Sequence, residues 1–356
     1  MSSSQKPLVF VTGASGLIGY AIVYHLLEAG YPVRGAARGK KLEHLKKALS
    51  TYPQFEAVEI ADVSTGDYSE IFKGVEGLIH CAAVLPGRAD KDTAFRSAVD
   101  GSLHVLEEAE RAGIKKIVTT SSVSSFNYPV GPYGPDDFNP VTKEQAFAAD
   151  DPIGFMVYAA EKKYADLAVL DWIKTRPHLN VTMLAPPNVY GVAPGFEEFL
   201  QKPGDIGPLT SNLFIYQLLQ RDAAQFMAAA GFIDIRDLAR AHILALDSIP
   251  QSAVSDRKVK RLAIAAPYGS DLEEAVKYIS QERPELKERL IDFEKTKPIL
   301  SMKLPEPSPW ELKGIEYGRL EEILGMKKRE FRTWKETVLD AVDRLVKMEE
   351  RWKESS

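Results

Sequence analysis

Thr12-Gly13-Ala14-Ser15-Gly16-Leu17-Ile18-Gly19 follows directly on the apolar run Leu8-Val9-Phe10-Val11 and opens a long apolar segment. The run reads as a buried strand, the glycines as a tight turn, and the segment beyond as a helix reaching about Ala29. Glycines set three and three apart let the chain turn sharply, let backbone approach a phosphate group, and let helix pack closely on strand. The helix that follows points its first amides and the positive end of its dipole at the same anion. Gly13, Ser15, Gly16, Leu17, Ile18 and Gly19 are therefore the expected pyrophosphate cradle. No charge occurs between Lys6 and Glu28, a length able to span a bilayer. The central glycines break that stretch into strand, turn and helix, so no membrane helix is expected.

Beyond the turn, β-rich runs alternate with longer amphipathic segments, at Val33 to Ala37, Ala57 to Ile60, Gly77 to Cys81, Lys116 to Thr120 and Val181 to Leu184. That is the pattern of an α/β fold, a doubly wound parallel sheet with helices on both faces. Residues 1–194 are expected to form this unit. From about Gly195 the alternation lapses into helices and scattered short strands, with a proline-rich break at Pro305, Pro307 and Pro309. Residues 195–356 are expected to make a smaller C-terminal substrate lobe, some of its strands and helices returning to the core. Prolines and glycines between Asn127 and Gly154 mark a long loop, of the kind that carries function. In the last segment, Phe331 to Lys353, Trp334, Val338, Val342, Leu345, Met348 and Trp352 recur at helical spacing, the signature of a docked amphipathic helix.

The chain has 356 residues, with 45 Lys and Arg against 50 Asp and Glu, a formal charge of −5. Its 45% hydrophobic and 27% charged content is that of a folded globular protein. Mild acidity without a basic run leaves no electrostatic footprint for nucleic acid, so a small molecule is the expected partner. A single cysteine, Cys81, fits a reducing compartment, and neither a signal peptide nor a lipidation motif is visible, so a cytoplasmic location is expected. His25, His80, His104 and His242 lack metal-ligand spacing, and no metal is expected.

An acid at the end of the second strand would bind the ribose 2′-hydroxyl of NAD. Here stands Arg34-Gly35-Ala36-Ala37-Arg38-Gly39-Lys40-Lys41, with no acid between Glu28 and Glu43. Positive charge complements a 2′-phosphate, and Arg38 can fork onto its oxygens with Lys41 beside it, so NADP(H) is the expected cofactor. Further along, Tyr158 and Lys162 are four residues apart on one helix face. A free phenol titrates near pH 10, and a neighbouring ammonium favours its ionised form. Ser121-Ser122 ends the strand Lys116 to Thr120, at the carboxyl edge where doubly wound sheets bind ligands.

Together these residues resemble the extended short-chain dehydrogenase/reductase family, whose TGxxGxxG turn, central serine and YxxxK appear here in order on a Rossmann-type sheet. Asp62-Val63 resembles the family's adenine contact, His80-Cys81-Ala82-Ala83 the segment passing the cofactor, and Leu184 to Gly191, with Pro186, Asn188 and Val189, the turn near the nicotinamide. Phe232 to Asp237 resembles a later structural signature. Val33-Arg34 with Ala37-Arg38, Phe138 to Thr142 and the terminal helix most resemble fungal-type NADPH-dependent aldehyde and ketone reductases, related to dihydroflavonol and cinnamoyl-CoA reductases. The resemblance implies that Tyr158 gives a proton to a substrate carbonyl and that Lys162 favours the phenolate and holds the nicotinamide ribose. Ser122, preferred to Ser121 because it directly precedes Val123-Ser124-Ser125-Phe126, would bind the same oxygen. Val84, Ser124, Phe126 and Tyr190 are the expected substrate contacts, and Tyr128, Tyr133, Asn188, Phe214 and Met227 are further candidates for lining that side; for Phe126, Tyr190 and these five, core packing is at least as good a reading. The chain is expected to work as a monomer or homodimer. Two other readings stay open, a sugar-nucleotide epimerase or dehydratase on the same scaffold and a non-catalytic NADP sensor.

Overall fold

The computed structural model describes residues 6–83, 89–151, 154–200, 206–223, 225–298 and 310–354. β1 (Leu8–Thr12) turns into α1 (Leu17–Glu28), followed by β2 (Val33–Ala37), α2 (Lys40–Ala48), β3 (Phe55–Glu59), β4 (Val75–His80), α3 (Lys91–Arg111), β5 (Lys116–Thr120), α4 (Lys143–Ala148), α5 (Phe155–Ile173) and β6 (Asn180–Ala185). Beyond them run β7 (Asn188–Tyr190), α6 (Leu213–Tyr216), β8 (Gln225–Phe226), β9 (Phe232–Asp234), α7 (Ile235–Leu246), β10 (Lys260–Ala263), α8 (Leu272–Glu282), β11 (Lys297–Pro298), α9 (Tyr317–Leu324) and α10 (Trp334–Glu354).

Seven parallel strands make one sheet in the order β10-β6-β5-β4-β1-β2-β3. Alternation along each strand explains why both faces are covered. Val9, Val11, Ile79 and Val118 join one apolar cluster with α1 and α7, whereas Phe10, Leu78 and Ile117 join a second with α3 and α5. The sheet is thus a doubly wound Rossmann-like sheet. Register brings the strand ends together: Thr12 lies beside His80, His80 beside Thr119, and Thr120 beside Leu184. Strand order reverses between β1 and β4, and the crevice at that reversal is where such sheets take ligands.

Among the described residues, the chain beyond β6 returns to this sheet only through β10, in register with β6 at Arg261 and Met183. Two-stranded pairs β7–β9 and β8–β11 lie apart from the main sheet. The terminal helix α10 lays its apolar face on the core, as its spacing predicts. Trp334 packs on Phe232 and Tyr190 at centroid distances of 4.8 and 5.3 Å, and its indole N–H donates to Asp271 O at 2.7 Å. Thr337 Oγ1 donates to the buried Asp234 carboxylate at 3.0 Å, and Arg332 pairs with buried Asp237.

One expectation needs correction. The stretch from Asn127 to Gly154 is not wholly loop, because α4 forms within it, closed by a capping box in which the Thr142 hydroxyl accepts from Gln145 N and the Gln145 side chain from Thr142 N. Pro305, Pro307, Pro309 and Val84 lie outside the described residues. Among the described residues no helix is long and apolar enough to cross a membrane. Trp334→Ala removes the ring on which Tyr190 and Phe232 pack, and is expected to lower the unfolding free energy by about 3–5 kcal/mol, read from urea denaturation midpoints.

Candidate active site

Gly13 and Gly19 occupy places that no side chain could share. A Cβ on Gly19 would stand 2.2 Å from Gly13 O, and one on Gly13, whose φ is +67°, would stand 2.9 Å from Ala82 N. The turn therefore packs backbone on backbone against the exit of β4. Gly16 caps α1 with no side-chain acceptor, and no acid stands in the first turn. The amides of Leu17, Ile18 and Gly19 are left without an intrahelical partner, aimed at the crevice. This is a cradle for an anion, and a dinucleotide pyrophosphate fits it.

At the end of β2 the two arginines separate in role. The sequence groups Arg34 with the cationic cluster, but the structure spends it on the protein: it pairs with Glu56 at 2.7 Å and donates to the carbonyls of Ile71 and Lys73. Its register opposite Glu56 on β3 explains the capture. Arg38, past the strand end, is exposed and makes no ion pair or hydrogen bond among the described residues. Lys40 and Lys41 are exposed beside it, and Glu59 Oε1 accepts from Gly39 N at 3.1 Å to fix the turn. Asp62 Oδ1 accepts from Ser64 N, and Val63 is half-buried against the second cluster.

Beneath the turn, Thr12 Oγ1 accepts from Cys81 N and Ala82 N, both at 3.1 Å, so its own proton goes to His80 Nδ1 at 2.8 Å. His80 then donates from Nε2 to Ser102 Oγ, and Ser102 donates to Ala98 O. A second chain runs alongside. His242 Nδ1 donates to Leu238 O, which leaves Nε2 to accept from the Thr120 hydroxyl at 2.8 Å, and Thr120 Oγ1 in turn accepts from the Cys81 thiol at 2.9 Å. Burial, with Lys162 adding to it at His80, lowers both imidazoles to about 4, and burial pushes the Cys81 thiol up to about 12. Cys81 is thus no nucleophile near neutral pH.

Lys162 Nζ donates to the Thr120 carbonyl at 3.2 Å and lies 5.8 Å from the ring centroid of half-buried Tyr158. One residue before Lys162, buried Glu161 is pushed up to about 7 by its surroundings, against the pull of the Lys162 ammonium. Ser122 is buried at the end of β5, where its Oγ accepts from Ser124 N and donates to Ser124 Oγ, both at 3.2 Å. The turn Val123–Ser125 packs on α5. Ser121 instead continues the pairing with β6 through Leu184 O, and its hydroxyl lies 3.4 Å from Ser125 Oγ. Val123 N donates to Pro186 O, drawing the β6 exit alongside.

Two of the expected substrate contacts are enclosed side chains. Phe126 is wholly buried, 3.7 Å beneath the Arg261 guanidinium, and Tyr190 is enclosed between Trp334 and Phe214, so neither ring lines an open cleft. Val189 is buried with its N–H donating to Ser211 Oγ and its carbonyl accepting from the same hydroxyl. Asn188 Nδ2 donates to Gly231 O at 3.3 Å, and Tyr128 OH donates to Ala230 O at 2.9 Å. Thr120 and Arg261 are not among the residues expected for the site, and Asn139 is expected only as part of the loop Phe138 to Thr142. Asn139 donates from its backbone N to Ser125 O and from Nδ2 to Ser124 O, bracing the serine turn, and an Asn-Pro pair inside a long loop was its signal.

His80 and His242 bind protons more weakly folded than unfolded, so their stabilising contribution is complete above about pH 6.5 and drains away as pH falls toward 4. Urea midpoints are expected to drop between pH 7 and pH 5, and His80→Gln should flatten that slope.

A family model described as NAD dependent epimerase/dehydratase family matches residues 9–256. An oxidoreductase of Schizosaccharomyces pombe is 33% identical over 258 residues, covering 68% of this chain and 74% of that protein. A ketoreductase of Aspergillus fumigatus is 28% identical over 354 residues, covering 95% and 97%. Among solved structures, Gre2 of Candida albicans in complex with NADPH superposes with a TM-score of 0.75 at 24% identity, covering 96% of this chain and 99% of that one, and shows the same fold. The chain belongs to the NAD dependent epimerase/dehydratase family, the extended branch of the short-chain dehydrogenases/reductases.

Proposed function

We propose that this chain is an NADPH-dependent carbonyl reductase that reduces an aldehyde or ketone with Tyr158 as proton donor. The observation that carries the reading is one crevice holding an uncapped glycine-turn helix, an arginine at the end of β2 with no partner among the described residues, and a Tyr-Lys pair anchored on β5. The names of the Aspergillus ketoreductase and of Gre2 with NADPH point the same way.

When bound, NADPH supplies the hydride. Gly13, Ser15, Gly16, Leu17, Ile18 and Gly19 would hold its pyrophosphate and Arg38 with Lys41 its 2′-phosphate. Asp62, Val63, Ala82 and Ala83 would line the adenine and ribose side, and Pro186, Asn188 and Val189 the nicotinamide side. Tyr158 delivers its phenolic proton to the carbonyl oxygen as that oxygen gains charge. Ser122 donates a hydrogen bond to the same oxygen. Lys162, held by Thr120 O, sets an ammonium beside the phenolate that remains and holds the nicotinamide ribose. Carbonyl, hydride and proton sum to the alcohol. In this reading residues 1–194 bear the cofactor and catalytic groups, and 195–356 shape the substrate side. The enzyme works in the cytoplasm as a monomer or homodimer, a placement supported by its lone cysteine.

NADPH oxidation at 340 nm with a panel of small aldehydes and ketones tests the reading. Depletion should be far faster with NADPH than with NADH, and Tyr158→Phe should cut kcat by about a thousandfold. Arg38→Ala should raise the KM for NADPH about 10- to 100-fold while leaving the NADH rate unchanged, since it removes charge-assisted bonds to the 2′-phosphate alone. Turnover by Tyr158→Phe within a few-fold of the parent would sink the assignment.

A further inference from the structure

Arg261 is a fully buried side chain that rises from β10 into the floor of the catalytic region. All five of its N–H groups have acceptors on other parts of the chain. Nε donates to Asp166 Oδ2 at 2.8 Å, Nη1 to Asp137 O at 2.6 Å and Pro135 O at 3.5 Å, and Nη2 to Ser125 Oγ at 2.8 Å and Ser125 O at 3.3 Å. The guanidinium also sits between aromatic rings, 3.7 Å from the centroid of Phe126 and 4.2 Å from that of Phe138.

These acceptors surround the catalytic groups. Asp166 lies one turn beyond Lys162 and two beyond Tyr158, on the same side of α5. Ser125 Oγ, which receives the Arg261 bond, passes its own proton to Ser122 O at 2.8 Å, so a single hydroxyl separates the guanidinium from the Ser122 backbone. Pro135 and Asp137 belong to the loop that continues into Asn139, which braces Ser124 and Ser125. One planar fork therefore ties together the helix of Tyr158 and Lys162, the turn of Ser122, and the loop over that turn. A buried ion pair is a weak source of stability, because desolvation offsets its attraction. Its fixed geometry is another matter, and only a guanidinium offers five donors in one plane.

The geometry points to Arg261, seated by Asp166, as a positioning residue that sets Ser122 relative to Tyr158 and Lys162. This rests on the roles proposed above for those three residues. Arg261 touches neither substrate nor cofactor in this scheme, so its loss acts on kcat and spares cofactor binding.

Two variants test it. Arg261→Lys keeps the charge facing Asp166 but loses the fork, and Arg261→Gln combined with Asp166→Asn removes both charges so that neither is stranded in the core. With sites counted by NADPH fluorescence titration, kcat per site should fall about tenfold in Arg261→Lys and about 100-fold in the double variant, as expected when reacting groups are displaced by about 1 Å. The Kd for NADPH should stay within about twofold of the parent. Loss of folded protein alone would lower the number of sites and leave kcat per site unchanged, and that result overturns the proposal. Hydrogen–deuterium exchange adds a readout that needs no turnover: amides of 122–126, 135–139 and α5 should lose protection in both variants, while those of 12–19 keep theirs. Unchanged protection in the first three segments also overturns the proposal. Turnover surviving in Tyr158→Phe would instead overturn the reductase roles, and the exchange result would still decide whether Arg261 holds the turn and the helix together.

Discussion

The structure hangs on a contact between backbones. Where Gly19 passes over the Gly13 carbonyl, and Gly13 over Ala82, the chain comes closer than any side chain permits. That approach sets α1 directly on the end of β1 and brings the β4 exit under the helix amides. Thr12 then closes the arrangement from below, its hydroxyl held by two amides of the β4 exit and in turn held to His80. With β1 and β4 locked at their carboxyl ends, parallel register carries the alignment outward to β5 and β6, and with it Thr120 and the residues that meet it.

Much of this was legible in the sequence because it is written locally. The glycine turn, the alternation of strand and helix, the Tyr-Lys spacing and the terminal amphipathic face each lie within a short window, and each formed where its pattern placed it. The capping box Thr142 to Gln145 was equally local, yet the surrounding prolines obscured it. Other features depend on partners far along the chain. Nothing near Arg34 announces that Glu56 will sit across from it, so an arginine committed to the sheet looked like its neighbour Arg38. Phe126 and Tyr190 read equally as pocket or core aromatics for the same reason, since the groups that enclose them, Arg261 and Trp334, come much later. Arg261 itself stands in a basic run with Arg257, Lys258 and Lys260, where it looks like one more surface cation, and its value is set wholly by what folding brings to it.

The two hydrogen-bond chains under the crevice satisfy buried polar groups without opening a route through the protein. Each ends on a backbone carbonyl, of Ala98 or of Leu238, and a carbonyl can receive a proton's hydrogen bond but has none to hand on. The directions of the bonds are fixed by those ends, which leaves both imidazoles neutral and each in a single tautomer. These two chains therefore place no charge of their own beneath the crevice, where the Lys162 ammonium reaches the Thr120 carbonyl.

The contacts of Arg261 span 95 to 136 residues of chain. During synthesis the glycine turn, Ser122, Tyr158 and Lys162 all leave the ribosome before it, and 98 residues separate Lys162 from Arg261 in the sequence. At about 5–20 residues per second, roughly 5–20 s pass in which Ser122, Tyr158 and Lys162 exist without the fork that gathers them. The newborn chain can thus bury its nucleotide-binding half while its reactive centre is still loose, and catalytic competence arrives with a strand from the far end of the sheet.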